Sequence, residues 1–186
     1  MCGICGIWYF DHNRVIDEGI FHAMTHSLAH RGPDETGFHY EQSVALGFRR
    51  LRIIDPVGSQ QPMPNEDKSV WLVCNGEIYN APGIRRQLEE RHLFQTAGDV
   101  ETVLHLYEDF GLSLVDQLRG MFAFALWDRN ADVMTLAVDR FGKKPLYYLL
   151  DAEKLIFASE LKAIMRYPHG DLQLDYEALD EYLSSG

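Results

Sequence analysis

The tightest constraint on this chain lies at its start, Met1-Cys2-Gly3-Ile4-Cys5-Gly6. Once Met1 is removed, Cys2 carries a thiol and a free α-amine in one residue. A thiol titrates near ~8.5 and an α-amine near ~7.7–8.0, so the amine can take the thiol proton close to neutral pH. Activation of a nucleophile by an N-terminal amine is an established catalytic arrangement. The same feature constrains the fold, because a chain end can be aimed only if it is fixed. Gly3 to Phe10 is rich in β-branched and aromatic residues and reads as a strand holding Cys2 at its start. Alone, a cysteine at position 2 is more simply a small buried residue opening a strand. The rest of the chain has to decide.

Hydrophobic periodicity supplies the elements. Ile16, Ile20, Met24 and Leu28 recur every fourth residue, so a helix with one apolar stripe runs over about 17–29. His30-Arg31-Gly32-Pro33-Asp34 stops it. Short strands follow near 36–40 and 43–49, then an irregular stretch from Asp55 to Lys68. Val70 to Cys74 is a strand, broken at Asn75-Gly76, with Ile78-Tyr79 continuing it. Pro82 suits a first helical turn. A second good helix opens at Asp99 and closes at Gly111, and a shorter one covers Leu112 to Leu118. Met121–Trp127, Val133–Val138, Leu146–Leu150 and Leu155–Ala158 read as consecutive strands, with a hairpin at Asp128–Asp132. Two short helices, near Glu160–Arg166 and Tyr176–Leu183, end the chain. Antiparallel runs of strands with clustered helices make an α+β domain, and 186 residues suit one such domain.

Composition excludes several partners. A formal net charge of −11 argues against nucleic acid or an anionic membrane surface. No apolar run approaches a membrane span. Three cysteines with no secretory signal read as reduced thiols in the cytoplasm. Cys2 and Cys5 form a C-x-x-C pair, but a structural zinc site needs a second ligand pair, and neither Cys74 nor the scattered histidines supply a recognisable one. No metal site is therefore expected.

Eight motifs occur in a set order. They are Met-Cys-Gly-Ile at the start, His30-Arg31-Gly32-Pro33-Asp34, Arg50-Leu51, Asn75-Gly76-Glu77-Ile78-Tyr79-Asn80, Gly98-Asp99, Gly120-Met121-Phe122-Ala123-Phe124-Ala125, Asp139-Arg140-Phe141-Gly142 with Lys144-Pro145-Leu146-Tyr147-Tyr148, and Ala158-Ser159-Glu160. In this the chain resembles the glutaminase domain of class II glutamine amidotransferases, which are N-terminal-nucleophile hydrolases. Within that class it is most similar to the N-terminal half of glutamine-hydrolysing asparagine synthetases. The resemblance implies a four-layer αββα sandwich of two antiparallel sheets.

It also implies a reaction, hydrolysis of glutamine to glutamate and ammonia with Cys2 as nucleophile. Asn75 and Gly76 match the oxyanion donors, Arg50 the partner of the substrate carboxylate and Asp99 that of its ammonium. Glu77, Leu51, Ile53 and Ile54 match further pocket positions. Simpler readings stand beside these. Asn75-Gly76 is a strong turn signal, Asp99 sits where a helix cap is wanted, and Asp139-Arg140 and Lys143-Lys144 read as solvated turn charges, with contact to a partner domain as the alternative. His30 and Arg31 read as structural or pocket-supporting, Cys5 and Cys74 as small core residues. The domain itself needs no cofactor. ATP and Mg belong to a synthetase domain expected to follow in a longer chain, with glutamine and that domain as partners and a homodimer as an option. Other acceptors, as in a glucosamine-phosphate synthase or phosphoribosyl-pyrophosphate amidotransferase, remain open, as does a catalytically silent scaffold.

Overall fold

The computed structural model describes residues 1–169 and 174–185. In chain order the first elements are β1 (Gly3–Tyr9), α1 (Glu18–Ser27), β2 (Glu35–Tyr40), β3 (Val44–Arg50), β4 (Met63–Pro64), β5 (Val70–Ile78), α2 (Ala81–Leu88) and α3 (Glu101–Phe110). After a 3-10 turn at Gly111–Ser113 come α4 (Leu114–Gln117), β6 (Gly120–Asp128), β7 (Val133–Val138), β8 (Tyr147–Leu150), β9 (Lys154–Ala158), α5 (Leu161–Ile164) and α6 (Tyr176–Ser185).

All strand pairings are antiparallel, in one sheet of order β2-β3-β1-β9-β8 and a second of order β4-β5-β6-β7. Side-chain alternation sets the layers. In β1, Cys5, Ile7 and Tyr9 pack with Phe21, Met24 and Leu28 of the α1 region and with Ala163 and Ile164 of α5. Ile4 faces the other way and joins Leu46, Phe48, Val73, Ala125, Trp127 and Phe157 between the two sheets. On the far side, Leu72, Cys74, Phe122 and Phe124 meet Ile84 and Leu88 of α2 and Val103 and Leu104 of α3. The result is a four-layer αββα sandwich.

Local signals account for the helix ends. Asp17 accepts from the Ile20 backbone N–H at 3.0 Å and caps α1. Pro82 occupies the first turn of α2. Gly111, with φ of 54°, closes α3 in a conformation that glycine adopts freely. Phe21 joins the buried stripe of α1, and Ile20 is only partly covered.

Three expectations are corrected. The strand expected to break at Asn75-Gly76 runs on unbroken, with Asn75 opposite Ala123 and Gly76 opposite Phe122 of β6. Glycine is required there because a Cβ would lie 2.3 Å from the Met121 carbonyl oxygen and 2.6 Å from Phe122 Cα. The pair marks a close backbone approach, not a turn. Secondly, the irregular stretch contains β4, a two-residue edge strand too short for any periodic signal. Thirdly, Asp139 and Lys144 are buried, not solvated, while Arg140 and Lys143 are exposed. The Asp139 carboxylate accepts from the backbone N–H groups of Phe122, Phe141 and Lys143 at 3.1, 2.9 and 3.1 Å, which organises the turn after β7.

Candidate active site

Cys2 precedes β1, and its thiol lies against the backbone just beyond β3. The Leu51 N–H donates to Sγ at 3.4 Å, and Sγ lies 3.7 Å from the Leu51 carbonyl. The Cys2 carbonyl accepts from Arg31 Nε at 2.9 Å. Arg31 is itself held by Glu160 at 3.0 Å, and the same carboxylate also meets His30 and Lys162. Arg31 thus braces the chain start directly, and His30 touches it only through Glu160. Burial pushes the Cys2 thiol up. The Leu51 N–H, the chain-terminal ammonium, Arg50 and Lys144 pull it down without cancelling that effect.

The C-x-x-C pair is not a chelate. Cys5 belongs to the opposite face of β1, under α1, where its thiol meets the Thr25 hydroxyl at 3.2 Å and burial raises it to about 12. Cys74 is also buried and its thiol is raised by burial.

A cleft opens beside Cys2, with about 440 Å³ of atom-free space including its mouth. Its lining includes Arg50, Leu51, Ile53, Ile54, Gly76, Glu77 and Asp99, all singled out from the sequence, together with Phe48, Ser59, Gln61, Cys74 and Val100. Asn75 lies between two lining residues. By strand alternation it shares the face of Trp71 and Val73, which pack between the sheets. It is 2% exposed, and its Nδ2 has no partner among the described residues.

Arg50 is 4% exposed and already engaged on one side. Its Nη1 is 3.1 Å from Glu35 Oε2, and its Nη2 donates to the Asp55 carbonyl at 2.6 Å and toward that of Ile54 at 3.4 Å. It therefore neutralises a carboxylate and braces the loop forming one wall. Asp99 does not act as the side-chain cap of α3. Its Oδ2 accepts the Ile78 N–H of β5 at 2.6 Å, and α3 begins without a side-chain cap.

Three supporting residues escaped sequence reasoning. The Gln61 side chain pairs with both backbone groups of Cys74, accepting at 2.6 Å and donating at 3.2 Å, as a strand partner would. Asp55 takes N–H groups from Gly58 and Ala97, both at 3.0 Å, and the Ser59 hydroxyl at 3.0 Å, tying the wall loop to the segment before Asp99. Lys144 is buried within electrostatic reach of both Cys2 and Cys74. Asp55 and Gln61 lie in the irregular stretch, where no periodicity points at them. Lys144 looked like one of several turn charges.

The chain is 42% identical over 190 residues to asparagine synthetase [glutamine-hydrolyzing] 2 of Bacillus subtilis (strain 168), covering 100% of this chain and 25% of that one. Asparagine synthetase [glutamine-hydrolyzing] 2 of Oryza sativa subsp. japonica is 42% identical over 166 residues, 88% of this chain and 28% of its own length. This chain thus spans between a quarter and a third of such relatives. Among solved structures, the glutamine phosphoribosylpyrophosphate amidotransferase of B. subtilis shares the fold with a TM-score of 0.71 at 24% identity, over 88% of this chain and 43% of that one. The model of the glutamine amidotransferase domain matches residues 1–186 throughout, and the chain belongs to that family.

Proposed function

We propose that this domain hydrolyses the side-chain amide of glutamine at Cys2, and that the ammonia serves asparagine formation from aspartate and ATP in a following domain of a longer protein. The observation that carries the reading is the content of one cleft. A thiol at the chain start shares it with an arginine and two carboxylates, beside a buried amide donor that has no partner among the described residues.

After removal of Met1, which is 54% exposed, the freed α-amine of Cys2 takes the thiol proton. The thiolate attacks the glutamine amide carbon. Negative charge gathers on the amide oxygen, where Asn75 Nδ2 and the Gly76 N–H are the donors. One such donor is worth roughly 3–4 kcal/mol of barrier. The proton held by the amine passes to the departing nitrogen, the C–N bond breaks, and ammonia leaves a thioester on Cys2. Water then attacks the thioester, returns the thiol and releases glutamate. Arg50 faces the substrate α-carboxylate, and Asp99 with Glu77 the α-ammonium, so analogues lacking either charge lose a charge-assisted pairing in the cleft. These steps draw on no cofactor, and ATP and Mg act in the synthetase domain.

Relatives of 36–42% identity over nearly the whole chain are asparagine synthetases, which supports that acceptor over others. They are three to four times longer, which supports a further domain. Exposed apolar residues at Val138, Phe141, Tyr148 and Leu150 offer it a surface.

The test joins intact mass with glutamate release on one sample. Loss of one methionine with glutamate production is expected, and Cys2→Ala should abolish release while the fold is retained. Full activity in that variant removes Cys2 from the chemistry. Loss of the methionine with no activity, even in the longer protein, favours a silent scaffold.

A further inference from the structure

Four side chains from three separate segments converge outside the cleft. Glu66 comes from the β4–β5 connection, His92 follows α2, and His105 and Glu108 lie on α3. Each offers one ligand atom, and the four atoms lie within 4.8 Å of one another. His105 Nδ1 is 2.8 Å from Glu108 Oε2 and 3.7 Å from Glu66 Oε2. His92 Nδ1 is 3.3 Å from Glu66 Oε1 and 3.5 Å from Glu108 Oε2. A tetrahedral ion with bonds of about 2.0–2.2 Å has ligand–ligand edges of roughly 3.3–3.6 Å. With Glu66 bound through Oε1, the edges from His92 Nδ1 to Glu66 and to Glu108 are 3.3 and 3.5 Å, and that from His105 Nδ1 to Glu108 is shorter at 2.8 Å.

The distal nitrogen of His92 extends the pattern, with Nε2 3.2 Å from Asp109 Oδ1. That of His105 faces Glu101 Oε1 at 3.8 Å, beyond hydrogen-bond distance. Metal-bound imidazoles commonly turn their other N–H to a carboxylate. His105 is 1% exposed, and its Nε2 has no hydrogen-bond partner among the described residues. Charge balance points the same way. Arg91 pairs with Asp109 at 2.8 Å and Arg85 approaches Glu101 at 4.0 Å. Glu66 and Glu108, by contrast, have only the two imidazoles as ion-pair partners among the described residues. Those rings are stacked with centroids 4.6 Å apart, and like charges so close oppose one another. A divalent cation satisfies both carboxylates with neutral imidazoles. Two imidazoles and two carboxylates in a tetrahedron suit zinc over calcium or magnesium.

We propose that Glu66, His92, His105 and Glu108 hold a structural zinc ion. The ion staples the β4–β5 connection to α3 and to the segment leaving α2. Glu101, behind His105, also accepts the Gln95 and Thr96 N–H groups at 2.6 and 2.8 Å, so the staple extends toward the loop bearing Asp99. The site departs from the expectation of no metal. Its ligands come from segments none of which carries a metal motif, and no cysteine takes part.

The test uses the chelator-stripped chain, zinc chloride, and cobalt chloride as a spectroscopic probe. One zinc per chain by native mass spectrometry is expected. Melting temperature should rise by about 5–10 °C at a hundred-fold excess over Kd. Cobalt should give tetrahedral visible bands without a thiolate charge-transfer band. The double variant Glu66→Gln with His92→Gln should lose the ion while keeping its circular dichroism and its glutamine hydrolysis. No uptake at micromolar zinc, equal uptake by that folded variant, or a thiolate band, which places the metal on the cysteines, overturns the proposal. Should the double variant not fold, Glu66→Gln alone, at a solvent-exposed residue, must weaken uptake at least ten-fold, and unchanged uptake also overturns it.

Discussion

Asp99 shows how one side chain can carry two readings that only three dimensions separate. From the sequence it stands where a helix cap is wanted. In the fold its Oδ2 takes the Ile78 N–H and the carboxyl borders the cleft. Asp99→Asn keeps an acceptor for that N–H and removes only the charge. Its KM for glutamine should rise about 10–100-fold, since a hydrogen bond to a charged group is worth about 1.5–3 kcal/mol, while melting changes little. Asp99→Ala adds a backbone donor left unpaired, so it should raise KM and lower stability by about 1–3 kcal/mol as well. Steady-state kinetics and thermal melts on both variants check this. An unchanged KM in Asp99→Asn would leave the residue a purely structural role. Asn75 had a similar ambiguity with the opposite cause. An Asn-Gly pair is a turn signal at short range, and what makes it strand is the β6 backbone packed against Gly76, supplied by residues more than forty positions away.

At the scale of elements, the period of two along the strands and of four along α1 was readable because each reports a single buried face. Membership of sheets was not, since β7 and β8 are consecutive in sequence and lie in different sheets. Interactions that cross elements were the least legible. One of them fixes the chain start. Burial alone would raise the Glu160 carboxyl, yet Arg31, Lys162 and His30 hold it down at about 2. Glu160 thereby ties α5 to Arg31, and Arg31 to the Cys2 carbonyl. A depressed carboxyl pKa contributes stability above the ordinary carboxylate value of about 4.3, and that contribution is lost as pH falls toward 2. After solvent screening it amounts to about 1–2 kcal/mol. Glu160→Gln should therefore melt lower at pH 7, and its acid destabilisation between pH about 4.5 and 2 should be shallower than that of the parent chain. Parallel pH–stability curves for the two would show that Glu160 contributes nothing of the kind.

Across the whole molecule, the candidate site is divided between the two sheets. Arg50 belongs to the first sheet, with Cys2 just ahead of its strand β1, and Asn75, Gly76 and Glu77 belong to the second. Their separation is set by the layer between the sheets, where Phe157 fills the space that Gly6 leaves open. A Cβ on Gly6 would meet the Phe157 ring at 2.3 Å. Phe157 pairs opposite Gly6, four residues along β1 from Cys2, and does not line the cleft. Phe157→Ala should cost about 3–5 kcal/mol of stability through the cavity it leaves. It should also lower kcat at temperatures where the variant remains folded, because a shift of about 1 Å between nucleophile and donor can cost of order a hundred-fold. KM should move less, since Arg50 and Asp99 are each held within their own surroundings by Glu35 and the Ile78 N–H. Kinetics well below the melting temperature separate the two effects. A full kcat in the destabilised variant would mean that the loops around the cleft, and not the packing between the sheets, set the distance across the site.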